Sequence, residues 1–319
     1  MRSSSILLGC ALATLAACGP GEQGRDDAGS LTGEGDAAAI DSRPQDNAAD
    51  RPGLDAGGSS REGCKRGVAY TFLSESDMRA LAGAVSWWYR WAPGPEAPLA
   101  SGAYRDMSVE FVPMIWGGTF EVAKVLGQIP GDARFLLGFN EPNFYSQANL
   151  AAAEAAARWP AVQDIATRRG LVLVSPAVNY CGGGCHDTDP FSYLQAFLAA
   201  CTDCRVDAVA FHVYVGVNRN GGNKAQWLIN HVEKYKATFT QPLWLTEFAA
   251  DDATSLEEQR QFMLDAVAYL EAEPRVARYA WFSGRADNMK NVDLLAKDGA
   301  LSTLGAAYVQ APQPASCLR

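Results

Sequence analysis

Eight short apolar runs recur along most of the chain, at residues 66–70, 86–91, 110–116, 135–140, 171–177, 208–214, 242–248 and 278–283, with starts 20 to 37 residues apart. Runs that are apolar at successive positions suit parallel strands covered by helices. Helical patterns fill several of the gaps. Residues 149–169 are Ala-rich, 190–200 and 223–239 carry helical periodicity, and Ser255 with Glu258 three residues on predicts a capping box before an apolar-periodic run that stops at Pro274. The second and third connections are weaker, and 92–99 is rich in proline. Alternating strands and helices predict an α/β fold, and eight such units predict a closed (β/α)₈ TIM barrel. The 254 residues from Cys64 to Cys317 match the ~250 of that architecture. An open doubly wound sheet is the alternative, but neither GxGxxG nor GxxxxGK[ST] occurs after any run.

The N-terminal part reads differently. Arg2 is followed by an apolar stretch of 12 residues, 6–17, of signal-peptide length and too short to span a bilayer. It ends Leu15-Ala16-Ala17-Cys18, which resembles a bacterial lipobox, so residues 1–17 are expected to be removed and Cys18 to carry lipid. An ordinary signal peptide with an accidental cysteine is the alternative. Residues 18–63 hold no aromatic side chain, ten acids against four arginines, and few large aliphatics. Such a stretch cannot bury enough surface to offset its ordering entropy and is expected to be a disordered tether. The expected location is outside the cytoplasm, on a bacterial outer membrane or cell surface, with residues 64–319 as the working domain.

Composition narrows the function. The chain has 319 residues, 48% hydrophobic, with a formal net charge of −9 and no basic stripe, so nucleic acid is not an expected partner. Of eight cysteines, Cys10 leaves with the signal peptide and Cys18 goes to lipid. The remaining six suggest three disulfides, with Cys64–Cys317, Cys181–Cys185 and Cys201–Cys204 favoured among 15 connectivities. Zinc held by Cys181, Cys185, His186, Cys201 and Cys204 is the competing reading.

In a barrel the chemistry sits where strands end. The fourth run ends Asn140-Glu141-Pro142-Asn143 and the seventh ends Thr246-Glu247-Phe248. Two carboxylates closing two apolar strands, with few cations beside them, need a reason for their burial. Glycosidic bond cleavage supplies one: one carboxyl protonates the leaving oxygen while the other, ionised, attacks or supports the anomeric carbon. Asn140 suits a sugar 2-hydroxyl. Six of the eight tryptophans fall on runs two, three, seven and eight. Of these, Trp88, Trp116 and Trp281 are expected to stack on sugar faces, whereas Trp244 sits back in the core. His212, Tyr214, Tyr70 and Asn143 complete the expected substrate contacts. His186 lies in the Cys-bounded Gly182-Gly183-Gly184 loop, which either walls the cleft or is a stapled turn. His231 is expected on a helix surface. No metal or organic cofactor is expected.

The residues Lys65-Arg66-Gly67-Val68-Ala69-Tyr70, Trp87-Trp88-Tyr89-Arg90-Trp91, Phe111-Val112-Pro113-Met114-Ile115-Trp116-Gly117, Leu137-Gly138-Phe139-Asn140-Glu141-Pro142-Asn143, Ser175-Pro176-Ala177, Trp244-Leu245-Thr246-Glu247-Phe248 and Tyr279-Ala280-Trp281-Phe282, in this order, resemble glycoside hydrolase family 128 across roughly residues 64–310. That resemblance implies a barrel, an endo-β-1,3-glucanase acting with retention, Glu141 as acid/base and Glu247 as nucleophile. The chain departs from the family at Val213, where tryptophan is frequent, and at Arg90, where asparagine is frequent. The expected partner is a β-glucan, met by a monomer held to the membrane through Cys18. Another β-glucan as substrate, or a non-catalytic glycan-binding lipoprotein, are the rival readings.

Overall fold

All eight apolar runs contribute strands in the computed structural model of the protein, which describes residues 63–297 and 299–318. The expected signal peptide, Cys18 and the tether up to residue 62 lie outside the described residues. The strands are β1 (Arg66–Ala69), β2 (Trp87–Tyr89), β3 (Glu110–Phe111), β4 (Phe135–Leu137), β5 (Val172–Val174), β6 (Val209–Val215), β7 (Leu243–Ala250) and β8 (Val276–Trp281). Between and after them run α1 (Glu75–Leu81), α2 (Ala103–Asp106), α3 (Val122–Gln128), α4 (Ala152–Arg169), α5 (Pro190–Ala200), α6 (Gln226–Thr238), α7 (Leu256–Ala272) and α8 (Thr303–Gln310).

Local chemistry starts and stops these helices. Ser74, Asp189, Ser255 and Ser302 each accept a backbone N–H in the first turn of the helix they precede, and Gly170, at φ 64°, ends α4 in the left-handed conformation. The expected capping box is half formed. Ser255 caps α7, but the Glu258 carboxylate turns to Thr254 and Arg219.

Every strand pairing is parallel. One sheet has the order β3-β2-β1-β8-β7-β6 and a second pairs β4 with β5. Isolated parallel bridges at Met114–Leu137 and Val174–Ala208 link the sheet edges. Strand alternation sorts the side chains to two faces. Val68, Trp88, Phe111, Leu136, Val209, Leu245, Tyr279 and Trp281 join the helices in the larger core. Ala69, Trp87, Tyr89, Val112, Phe135, Val174, Ala210, Trp244 and Ala280 gather in a smaller core on the opposite face, drawn from seven of the strands and from Val112 just after β3. Trp244 is core, as its position set back from the strand end predicts.

The smaller core also contains an ionic plug. Glu110 accepts hydrogen bonds from Arg134 (2.7 Å) and Arg278 (2.6 Å), and the Arg278 guanidinium lies over Phe135, Trp244 and Trp87 at 4.3, 4.9 and 5.5 Å from their centroids. Burial opposes the Glu110 charge, but the two guanidiniums outweigh it and hold the carboxyl below its usual range.

The cysteines pair as Cys64–Cys317, Cys181–Cys185 and Cys201–Cys204. These pairings use the four thiols that a zinc site would need. Cys64–Cys317 closes the domain ends over 253 positions, the span for which loop entropy gives the largest gain.

Glu110→Gln leaves Arg278 buried with a weakened partner. The expected loss is about 3 kcal/mol, read as a fall in Tm of roughly 6–12 °C. A fall under about 2 °C would show that the plug does not carry stability.

Candidate active site

The turn after β4 and the adjacent strands β6 and β7 bring three ionisable side chains together. His212 Nδ1 lies 2.9 Å from Glu141 Oε1 and 3.5 Å from Glu247 Oε2. One ligand atom from each of the three falls within 4.8 Å of the other two. All three side chains are largely buried.

A bulge and a strained residue aim the carboxylates. β6 and β7 pair Phe211 with Leu245 but His212 with Glu247, so Thr246 is an extra residue. Counting in twos from Trp244, strict alternation would turn Glu247 toward the helices. The bulge restores it to the Trp244 face, beside His212. Glu141 sits at φ 40°, in the left-handed region that a side chain rarely adopts. Its backbone N–H donates to Ala177 O (2.8 Å) and its carbonyl accepts from Phe144 N–H (3.0 Å). Gly138 lets the preceding strand approach its neighbours. A Cβ there would stand 2.7 Å from the Trp159 ring and 2.9 Å from the Pro176 backbone.

Glu247 is held on both oxygens. Oε1 accepts from the Tyr89 hydroxyl (2.7 Å) and the Trp91 indole N–H (2.8 Å), and Oε2 from the Tyr214 hydroxyl (2.6 Å). Burial first, and then the Glu247 charge, push both tyrosines well above their ordinary range, so they remain neutral donors. Burial pulls the His212 imidazole down. The charge of Glu247 and the hydrogen bond to Glu141 outweigh that and raise it above its ordinary value. Although Glu141, His212 and Glu247 stand close enough to meet at one cation, each Glu247 oxygen already faces a hydroxyl or N–H donor. That donor set keeps the carboxylate in one orientation.

The expected contacts divide. Glu141, Glu247, His212 and Tyr214 come together. Asn140 ends the neighbouring segment, donating to Gln147 (3.3 Å), with no partner for its Oδ1 among the described residues. Trp116 is 41% exposed at the end of the third run. Four contacts are corrected. Trp88 and Trp281 are 0% exposed and belong to the helix-side core, where Trp88 packs on Tyr104 and Phe111 and Trp281 donates to Val292 O. Tyr70, on the same side, is buried and bonded to Arg285. Asn143 is buried and donates to Asn179 O and Asp187 O, which makes it a brace between loops. His231 is also corrected: it is buried among Tyr180, Phe191, Phe211 and Tyr235, and burial lowers it to about 4. His186 is exposed in the stapled loop and bonds Asn149. Tyr89 and Trp91 are functional residues that the sequence reading passed over. Their signal was the period of two that links them to Trp87 and separates them from Trp88.

Two carboxylates converging at the C-terminal ends of parallel strands, one of them clamped by neutral donors, define the class of glycoside hydrolases. The chain belongs to the glycosyl hydrolase catalytic core family, which matches residues 67–308, and within it to glycoside hydrolase family 128. It is similar to a family 128 subgroup II endo-β-1,3-glucanase of Sorangium cellulosum, with 58% identity and a TM-score of 0.77 over 79% of this chain and 100% of that one. It is similar to a subgroup I endo-β-1,3-glucanase of Amycolatopsis mediterranei solved with laminaritriose, with 30% identity and a TM-score of 0.64 over 78% of this chain and 100% of that one. Alkali-sensitive linkage protein 1 of Schizosaccharomyces pombe is 30% identical over 77% of this chain, which spans 44% of that protein's length.

His212 is expected to titrate above 6.5 by NMR, and to fall in Glu247→Gln, where burial meets less opposing charge. The stability it contributes is complete below ~6.5 and lost as pH rises through the raised folded value. A midpoint unmoved in Glu247→Gln would contradict the coupling.

Proposed function

We propose that this glycoside hydrolase is an endo-β-1,3-glucanase that retains anomeric configuration. The observation that carries the reading is the meeting of Glu141 and Glu247 at His212, with carboxylate oxygens within 4.8 Å of each other. Retaining enzymes hold their carboxyl groups ~5–5.5 Å apart, whereas inverting ones need ~6.5–9.5 Å to admit a water. The substrate reading rests on the likeness to endo-β-1,3-glucanases, one of them solved with laminaritriose.

In this reading Glu141 gives its proton to the glycosidic oxygen and Glu247 attacks the anomeric carbon. Glu141, now ionised, then takes a proton from the water that releases the sugar. Tyr89, Trp91 and Tyr214 orient the nucleophile, and they receive its negative charge again when the ester breaks. His212 holds the Glu141 carboxyl through a 2.9 Å hydrogen bond across both halves. Asn140 meets the sugar 2-hydroxyl and Trp116 offers a ring face.

The two sheets are read as one closed (β/α)₈ barrel. Pairing of β1 with β8 and the bridges at Met114–Leu137 and Val174–Ala208 support this. The enzyme is read as an exported monomer anchored by lipid on Cys18, which the lipobox-like Leu15-Ala16-Ala17-Cys18 supports. Cys18→Ala should then move the enzyme from the membrane to the soluble fraction; unchanged membrane association would contradict the anchor.

Laminarin and curdlan should be cut to oligosaccharides and cellulose left intact, with the β-anomer appearing first by NMR. Glu247→Ala should abolish turnover while glucan binding survives. First appearance of the α-anomer would contradict retention, and preferential release from cellulose would contradict the substrate.

A further inference from the structure

The turn that carries Glu141 is fastened to one neighbour in particular, the loop after β5. Asn143, buried two residues beyond Glu141, donates from its side chain to Asn179 O (2.9 Å) and Asp187 O (3.2 Å). Its carbonyl accepts from His186 N–H at 2.8 Å. Phe144 pairs with Cys185 in an antiparallel bridge, and Tyr145 N–H donates to Gly184 O (3.1 Å). The Tyr145 ring meets His186 edge-on at 4.7 Å.

The loop that offers these partners has little reason to keep one shape by itself. Gly182, Gly183 and Gly184 run in succession, the last two at φ 150° and 71°, where glycine is favoured. The Cys181–Cys185 disulfide spans only 4 positions, so among the three disulfides its entropic effect on the unfolded chain is small. Its local effect is large. It fixes the glycines between two cross-linked ends, and so fixes the carbonyl that receives Tyr145 and the strand edge that receives Phe144. Glu141, with its left-handed φ, needs such an external brace to hold its carboxyl toward the site.

We infer that Asn143 and the loop closed by Cys181–Cys185 are positioning groups for the proton donor Glu141. The inference rests on the reading of Glu141 as the acid. The step they serve is the first one. Glu141 releases its carboxyl proton to the glycosidic oxygen as the C1–O bond breaks, the bonding pair stays with that oxygen, and a Glu247 oxygen forms the new bond to C1. Neither Asn143 nor the disulfide touches Glu247, so loosening them impairs protonation and spares the nucleophile.

The test compares Asn143→Ala and the double variant Cys181→Ser/Cys185→Ser with the unaltered enzyme, on laminarin and on a 2,4-dinitrophenyl β-laminaribioside, whose leaving group needs no proton. Loss of kcat on laminarin on the order of 10- to 10²-fold is expected. kcat/KM on the activated substrate should be unchanged, with turnover of that substrate raised by azide. Equal losses on both substrates, or full activity on laminarin in both folded variants, would overturn the inference. If one variant fails to fold by circular dichroism, the other carries the test. Glu141→Ala is the reference: if it lacks the same leaving-group dependence, the acid assignment fails rather than the positioning role.

Discussion

The site depends on one arrangement: a buried carboxylate, Glu247, clamped by three neutral donors and sharing His212 with a second carboxylate, Glu141. Two anions so close repel each other, and removing them from water costs several kcal/mol each. The imidazole between them offsets part of that repulsion, and the hydroxyls and indole replace lost water. The donors also differ between the two carboxylates. Glu247 accepts from Tyr89, Trp91 and Tyr214 and stands 3.5 Å from His212, whereas the side-chain partner of Glu141 is His212 itself, at 2.9 Å. This asymmetry separates a nucleophile from an acid, since two identical surroundings would give two carboxyls with one role.

Holding that arrangement is work for the backbone. Glu247 faces the site only because Thr246 is bulged out of register, and Glu141 only because its turn accepts a left-handed φ. Glu141 stands beyond the end of β4, whereas the bulge lies within the β6–β7 ladder, which resumes from Val213–Phe248 to Val215–Ala250. The scaffold around them has parallel pairing, an apolar layer and an ionic plug of Glu110, Arg134 and Arg278. The division is physical. Rigidity comes from the parallel pairing, and both carboxylates are aimed by local departures from it.

Much of this was legible in the residues. Eight apolar runs separated by capped helical patterns marked the strands, and the even set of cysteines marked the bridges. Glu141 and Glu247 stood out as carboxylates ending apolar strands. The faces were less legible. Alternation says that Trp87, Tyr89 and Trp91 share a side and that Trp88 lies opposite. It does not say which side the helices cover, so Trp88, Trp281 and Tyr70 were assigned to substrate although they pack against helices. The bulge at Thr246 leaves no mark in a count of twos. Asn143 looked like a substrate contact because it follows Glu141 closely. Its partners, Asn179 and Asp187, lie 36 and 44 positions away and only the fold brings them near.

The account stands most directly on Glu247 becoming covalently attached to sugar. A 2-deoxy-2-fluoro-laminaribiosyl fluoride slows release of such an intermediate, so that intact mass and peptide mapping can find it. One sugar per enzyme, located on Glu247, is the predicted result. An adduct on Glu141, or none under conditions where laminarin is hydrolysed, would contradict the division of roles between the two carboxylates.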